Sequence, residues 1–252
     1  MGAFVYSLIA YVIFFVTFLY AIAFVENLPV PRTIDRAPVG ALAASIIIDL
    51  LLLPLFAVQH SVMARPAFKR AWIRIVPPMA ERSTYVLASS LALIVLFAFW
   101  RALPTTVWSV GEGPLAIALS ALSYLGFALV LVSTFLIDHF ELFGLRQGWA
   151  SLRGEALPEP KFRTPLFYKL VRHPLYFGFL LAFWATPRMT AGHLLFAIAT
   201  TGYMLLAIVF EERDLTATFG ETYVLYRQRV SMIIPLPPRR ETPPTSPVVH
   251  GS

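Results

Sequence analysis

The sequence has no cysteine and little charge: Asp, Glu, Lys and Arg make up 13% of its 252 residues, against about 25% in a soluble globular chain. Without cysteine there are no disulfides, no thiolate metal sites and no cysteine nucleophile, and the redox compartment stays open. No G-x-G-x-x-G loop follows a strand, so nothing marks a soluble dinucleotide fold. No internal repeat is evident. What is abundant is apolar: 58% of residues are hydrophobic and the mean hydropathy is +0.72. That balance excludes a disordered, fibrous or ordinary cytosolic chain. The formal net charge of +6 would raise the question of nucleic acid in a soluble protein, whereas in a membrane chain basic residues record topology.

The apolar residues lie in long blocks, which predicts an all-α, polytopic integral membrane protein. Phe4 to Val25 carries no charge and is long enough to cross a hydrocarbon core of about 30 Å. It lacks the basic flank and small-residue cleavage site of a signal peptide, so a retained span is expected. Further spans are expected at Val39–Val58, Tyr85–Leu103 and Leu115–Ile137. The last pair, Pro174–Ala185 and Leu194–Phe210, forms a tight hairpin across Thr186 to Thr190. Pro174–Ala185 is short for a crossing, which predicts a helix that begins nearer Pro165 or is tilted.

Six spans place residues 59–84, 138–173 and 211–252 on one side. Those segments hold sixteen of the twenty Lys and Arg residues; Arg32, Arg36, Arg101 and Arg188 are the others. Positive residues are retained in the cytoplasm, so both termini are expected there. A single transmembrane domain over 1–234 is expected, divided into the helices of 1–150 and a second half over 165–234. The Pro-rich tail, 235–252, reads as disordered.

The densest polar constellation opens the fifth span: Arg172-His173-Pro174-Leu175-Tyr176-Phe177-Gly178. Pro174 suits a first helical turn, where its missing N–H would be unpaired anyway, and His173 and Tyr176 then share a face. Alone, this also fits a basic anchor in the aromatic belt. After the sixth span come Glu211 and Glu212, then Tyr223 and Tyr226. Two acids abutting an apolar span resist desolvation without partners. On a helix continuing past the membrane, Glu212 would be aimed at the hairpin partner that begins at Arg172. The plain alternative is a solvated helix end paired with Arg213 or Arg227.

Together these motifs resemble the membrane methyltransferases related to isoprenylcysteine carboxyl methyltransferase and the NnrU-like proteins, over about Phe167 to Pro235. That resemblance implies S-adenosylmethionine held by the C-terminal half, with Arg172, His173, Tyr176, Glu211, Glu212 and Tyr223 around it. Gln59-His60-Ser61, Glu81-Arg82-Ser83-Thr84-Tyr85 and Asp138-His139-Phe140-Glu141 with Arg146 extend it toward the bacterial methanethiol S-methyltransferases, which convert methanethiol to dimethyl sulfide.

Read physically, His60 and His139 end the second and fourth spans, each beside polar neighbours. A histidine there takes a proton near neutral pH, so either is a candidate base, or a hydrogen-bonded interfacial residue. Glu81 with Arg82 either clamps a cofactor or pairs with Arg70 and Arg74. Arg146 either grips a carboxylate bidentately or is a topology residue. His60, His139 and His173 show no metal-ligand spacing, and no metal is expected. Asp49 falls mid-span, where charge costs at least ~2.5 kcal/mol, and a structural or access-path role rather than a catalytic one is expected. The expected reaction is methyl transfer to a small thiol. Alternatives are an isoprenylcysteine- or phospholipid-type methyltransferase, a small transporter or scaffold, and an NADPH-dependent membrane reductase. A small-molecule thiol and the lipid bilayer are the expected partners, without nucleic acid.

Overall fold

The computed structural model describes residues 1–156 and 162–236. The expected disordered tail falls, from residue 237 onward, outside the described residues. Five helices are long and apolar enough to cross a membrane: α1 (Gly2–Val25), α2 (Leu42–Ala64), α4 (Pro78–Phe99), α5 (Pro114–Ile137) and α9 (Ala191–Phe219). Each satisfies its own backbone, which is what a span in hydrocarbon requires. Short helices fill in around their ends: α3 (Pro66–Trp72), α6 (His139–Leu142), α7 (Leu145–Arg153) and α10 (Glu221–Arg229).

The hairpin helix α8 runs from Pro174 to Trp184, 11 residues, or about 16 Å. The expected earlier start near Pro165 is not found. His173 sits at φ −126°, ψ 65°, outside the helical region that the following proline disfavours. Leu166–Lys169 instead forms a separate 3-10 turn. The half-length helix compensates by packing very closely on α5. A Cβ built on Gly126 would lie 2.5 Å from the Gly178 carbonyl oxygen. Glycine at both positions lets the two backbones touch.

At the end where α1 finishes, strands β1 (Thr106–Ser109) and β2 (Arg188–Thr190) pair antiparallel. They occupy two loops that the sequence marked only as plain. Thr190 caps α9 by accepting from the His193 amide. Toward this same end lies an aromatic core of Phe24, Phe97, Trp100, Phe183 and Phe196. Asp49 is fully buried and one of its oxygens accepts from the Arg101 amide at 2.9 Å, just past the end of α4. Its other carboxylate oxygen is buried with no hydrogen-bond partner among the described residues.

As expected, α9 does not stop at Phe210. It runs on for two further turns to Phe219, carrying Glu211, Glu212 and Asp214 beyond the apolar segment. After α10 the chain doubles back beside the entrance to α8. There Val171 and Ser231 form a parallel bridge, and the amides of Arg172 and His173 donate to the carbonyls of Ser231 and Met232 at 2.9 and 3.1 Å. The two non-helical residues before Pro174 are thereby held from the far side of the chain.

Candidate active site

Arg172, pinned by that bridge, points its side chain at α9. Its Nε donates to Glu212 Oε1 at 2.7 Å, and its NH1 donates to the carbonyls of Arg227 and Val230 at 3.1 and 2.5 Å. Both side chains are nearly enclosed, at 10% and 12% exposure. His173 Nε2 meets the same Glu212 oxygen at 3.1 Å. Tyr176, one turn along α8, donates to Glu211 Oε2 at 3.0 Å. The two acids are therefore inequivalent. Glu212 is neutralised by Arg172 with Arg227 at 3.9 Å behind it, whereas Glu211 is 45% exposed and bonded to a neutral phenol.

Three tyrosines close this cluster. Tyr223 is 1% exposed, and its hydroxyl has no hydrogen-bond partner among the described residues. It lies close enough to Glu212 and Arg172 to feel both charges; burial, with Glu212 adding to it, pushes its hydroxyl well above the usual phenol range. Tyr226 donates to the Tyr168 carbonyl at 2.5 Å. Burial is the main cause that pushes Tyr226 up to about 12. An orphaned buried hydroxyl costs about 1–3 kcal/mol, so Tyr223 is a group awaiting a partner.

A second cluster is built by α2 and α4. Tyr85 hydroxyl lies 2.7 Å from His60 Nε2. His60 Nδ1 lies 3.1 Å from Ser89 Oγ, and Ser89 donates its own proton to the Tyr85 carbonyl at 2.9 Å. The Tyr85 hydroxyl also lies 3.1 Å from Nδ1; with the Ser89 proton on the Tyr85 carbonyl, the tautomer that satisfies every group carries its proton on Nδ1 and accepts from Tyr85 at Nε2. Phe56 stacks on the His60 ring at 5.1 Å. The Arg82 guanidinium sits over the Tyr85 ring at 5.1 Å while its Nε donates to the Leu142 carbonyl at 2.7 Å.

Long-range bonds bring the two clusters to one end of the bundle. Arg65, after the last turn of α2, pairs with Asp214 of α9 at 3.0 Å and lies over the Phe210 ring. Ser61 donates to Tyr203 of α9 at 3.3 Å. Tyr85 and Tyr176 both lie close enough to Glu211 to feel its charge, with Tyr203 beside them. The result is a polar patch bordered by α2, α4, α8 and α9, cationic at Arg65, Arg82 and Arg172 and anionic at Glu211.

His139 sits apart from this patch. Its Nε2 meets Tyr11 hydroxyl at 2.9 Å, its Nδ1 meets Thr134 at 2.8 Å, and Phe135 stacks flat on its ring at 4.0 Å. It is 2% exposed, and burial holds its pKa below the ordinary value of 6.5. The acids beside it in sequence face elsewhere: Asp138 caps α6, and Arg146 pairs with Asp138 and Glu141. Arg146 makes no described bond to the Arg172 cluster. Glu81, in the first turn of α4, makes no described hydrogen bond or ion pair, and its charge acts on Lys69 of α3. It does not pair with Arg70 or Arg74.

Sequence reasoning missed Arg65, Ser89, Tyr203 and Asp214. The Arg82–Tyr85 spacing was visible on one helix, but nothing local marks Tyr203 as a partner of Ser61, 142 residues away.

No family model matches the chain, and no solved structure matches it. Among known proteins it is 56% identical over 233 residues to Methanethiol S-methyltransferase 1 of Bradyrhizobium diazoefficiens, covering 92% of this chain and 82% of that one. To Methanethiol S-methyltransferase of Mycobacterium tuberculosis it is 53% identical over 235 residues, with 93% and 96% covered. More distantly, Nurim of Rattus norvegicus is 35% identical over 188 residues, covering 69% of this chain and 70% of that one.

Proposed function

The chain belongs to the methanethiol S-methyltransferase family, and we propose that it methylates methanethiol to dimethyl sulfide with S-adenosylmethionine as donor. The observation that carries the reading is the adjacency of the two clusters: a histidine lone pair, filled only by a phenol proton, beside an anchored Arg–His–Glu–Tyr constellation. The residues of the Arg172 cluster fit such a donor by their chemistry. Arg172 and His173 are held rigidly by backbone contacts, Glu211 keeps an exposed carboxylate suited to a cationic ligand, and the buried Tyr223 hydroxyl lacks a partner. When bound, S-adenosylmethionine supplies a methyl group already activated on a sulfonium.

The protein's own task is then to position the thiol and remove its proton, because the thiolate is the reactive form. Tyr85 donates into His60 Nε2, so its oxygen lone pairs face outward as acceptors. A thiol proton taken by Tyr85 oxygen is matched by transfer of the phenol proton to His60 Nε2, and Ser89 holds Nδ1 throughout. Arg82 over the Tyr85 ring and Arg65 nearby favour negative charge in this region. His139, bonded at both nitrogens, acts as a positioning residue for α6 and for the Leu142 carbonyl that receives Arg82. The other expected contributors, Glu81 and Arg146, would act through the local field and through the fold of α6–α7.

The patch would face the cytoplasm of a bacterial inner membrane, with both termini on that side; the concentration of Lys and Arg in the loops at this end supports that orientation. One catalytic domain over 1–234 would comprise substrate-side helices and a cofactor half, as the two clusters divide it. Isothermal titration of the detergent-solubilised chain with S-adenosylmethionine, followed by headspace detection of dimethyl sulfide after adding methanethiol, tests the proposal. Binding with product supports it. Binding without product moves the acceptor to larger thiols, prenylcysteine or lipids. A folded sample that binds no donor overturns it.

A further inference from the structure

At the opposite end of the bundle, where α1 finishes and α9 begins, a cavity of about 320 Å³ is lined by Glu26, Asn27, Asp35, Arg36, Arg188 and His193 among others. That volume is in the range of small-molecule sites, about 300–1,000 Å³. His193 is 1% exposed. Its Nε2 lies 2.9 Å from the Phe183 carbonyl, which can only accept, so Nε2 carries the proton. In the neutral ring Nδ1 is then a bare lone pair, and it is buried with no partner among the described residues.

The carboxylates beside it are also without a cation. Glu26 accepts from the Ser123 hydroxyl. Asp35 accepts from the Asn27 amide at 2.9 Å and from the Thr190 hydroxyl, and its charge reaches the His193 ring. Among the described residues neither acid forms an ion pair. The nearby Arg36 is occupied with the carbonyls of Asn27 and Leu28 at the end of α1. Arg188 reaches only Thr106 at 3.4 Å.

The cavity's free acceptors are the Glu26 and Asp35 carboxylates and the His193 lone pair, beside the donor-bearing Asn27, Ser120 and Thr186. A bare metal ion is a poor fit, since among the described residues no three His, Asp or Glu side chains converge closely enough to hold one. A primary ammonium supplies three N–H donors, whereas a quaternary ammonium supplies none. The exposed Arg188 at the rim adds the complementary feature, a place for an anion on the same ligand. Trp108 and Trp184, both about one-third exposed, flank this end, and Trp108 donates to the Thr186 carbonyl in the cavity wall at 3.3 Å. Exposed tryptophans mark the level of lipid head groups.

We propose that this cavity binds a zwitterion bearing a primary ammonium and a phosphate, contributed by the head group of a phosphatidylethanolamine lipid in the adjoining leaflet. The site is distinct from the methyl-transfer patch and does not depend on that reading.

The test uses the full chain in detergent, with unfolding followed by tryptophan fluorescence. Dioleoylphosphatidylethanolamine, dioleoylphosphatidylcholine and free phosphoethanolamine are titrated separately. The ethanolamine lipid is expected to raise Tm saturably and the choline lipid not to. Glu26→Gln and Asp35→Asn are each expected to weaken the apparent affinity about tenfold, as loss of a charge-assisted bond does, with methyl transfer unchanged. Arg188→Gln, at an exposed position, tests the anion end without disturbing the packed wall and is expected to weaken the same lipid response. Equal response to both lipids, no response, or unaltered affinity in a folded variant overturns the proposal. A response to free phosphoethanolamine alone overturns the lipid source and assigns the cavity to a soluble zwitterion.

Discussion

Arg172 and Glu212, 40 residues apart in sequence, meet at 2.7 Å across the mouth of the α8–α9 hairpin, and the same guanidinium also ties down two carbonyls that follow in the chain. One arginine therefore orders three segments. Breaking a largely buried pair from one side leaves an uncompensated charge and costs about 3–5 kcal/mol. Glu212→Gln is expected to lower both Tm and donor affinity. Arg172→Lys is expected to fare no better than Arg172→Gln, because an ammonium cannot reproduce the fork. Thermal unfolding alongside calorimetric titration distinguishes these outcomes from a loss of turnover alone.

His60→Ala removes the proton acceptor without touching the Arg172 cluster. Turnover with methanethiol is expected to fall about 100-fold or more, with donor affinity unchanged. Raising the pH should recover part of the loss, since a larger fraction of free thiol is then ionised. Tyr85→Phe, which removes the oxygen that takes the thiol proton, should fall comparably. A His60→Ala enzyme with full activity at neutral pH would exclude the histidine as base.

Tyr223→Phe separates a ligand-binding hydroxyl from a structural one. Because the hydroxyl is unpaired, its removal should leave the Tm of the ligand-free protein unchanged or raised. Donor affinity should nevertheless fall about two- to tenfold, the worth of one neutral hydrogen bond. A Tm that drops with affinity intact would mean the hydroxyl has a structural partner instead.

His139 predicts an acid-labile element. Burial lowers its folded pKa below the ordinary 6.5, so the unfolded chain takes up a proton first as pH falls. The stability it contributes is full above the ordinary value and is lost as pH falls through the lowered folded value. Tm should drop on acidification across that interval, and His139→Gln should flatten the dependence. An identical slope in wild type and variant would place the sensitivity elsewhere.

Gly126→Ala tests the close crossing of α5 and α8. The added Cβ would meet the Gly178 carbonyl oxygen at 2.5 Å, against backbone that cannot yield without moving a helix. Overpacking of this kind costs about 1–3 kcal/mol. Because α8 carries Tyr176, activity should decline with Tm. Gly202→Ala, with open space around it, is the control and should change neither.

The all-α membrane class was legible in the sequence because lipid imposes local rules. A segment in hydrocarbon must satisfy its backbone within itself, so an uncharged run such as Phe4–Val25 is a helix whatever its neighbours do. Arg172-His173-Pro174 and Glu211-Glu212 were legible too, since a short hairpin joins them and a continuing α9 aims one at the other. What only the tertiary structure decided was which histidine stands at the patch. His60 and His139 look alike in sequence, each polar-flanked at the end of a span, yet their ring partners lie 25 and 128 residues away. His60 meets Tyr85 beside α9, and His139 is enclosed against α1. The start of α8 was decided the same way, by a bridge between Val171 and Ser231 that forms only after α10 returns. Side-chain chemistry and hydrophobic length act within a turn or two of helix. The choice of partner depends on which helix faces are brought together, and that is set by the packing of the whole bundle.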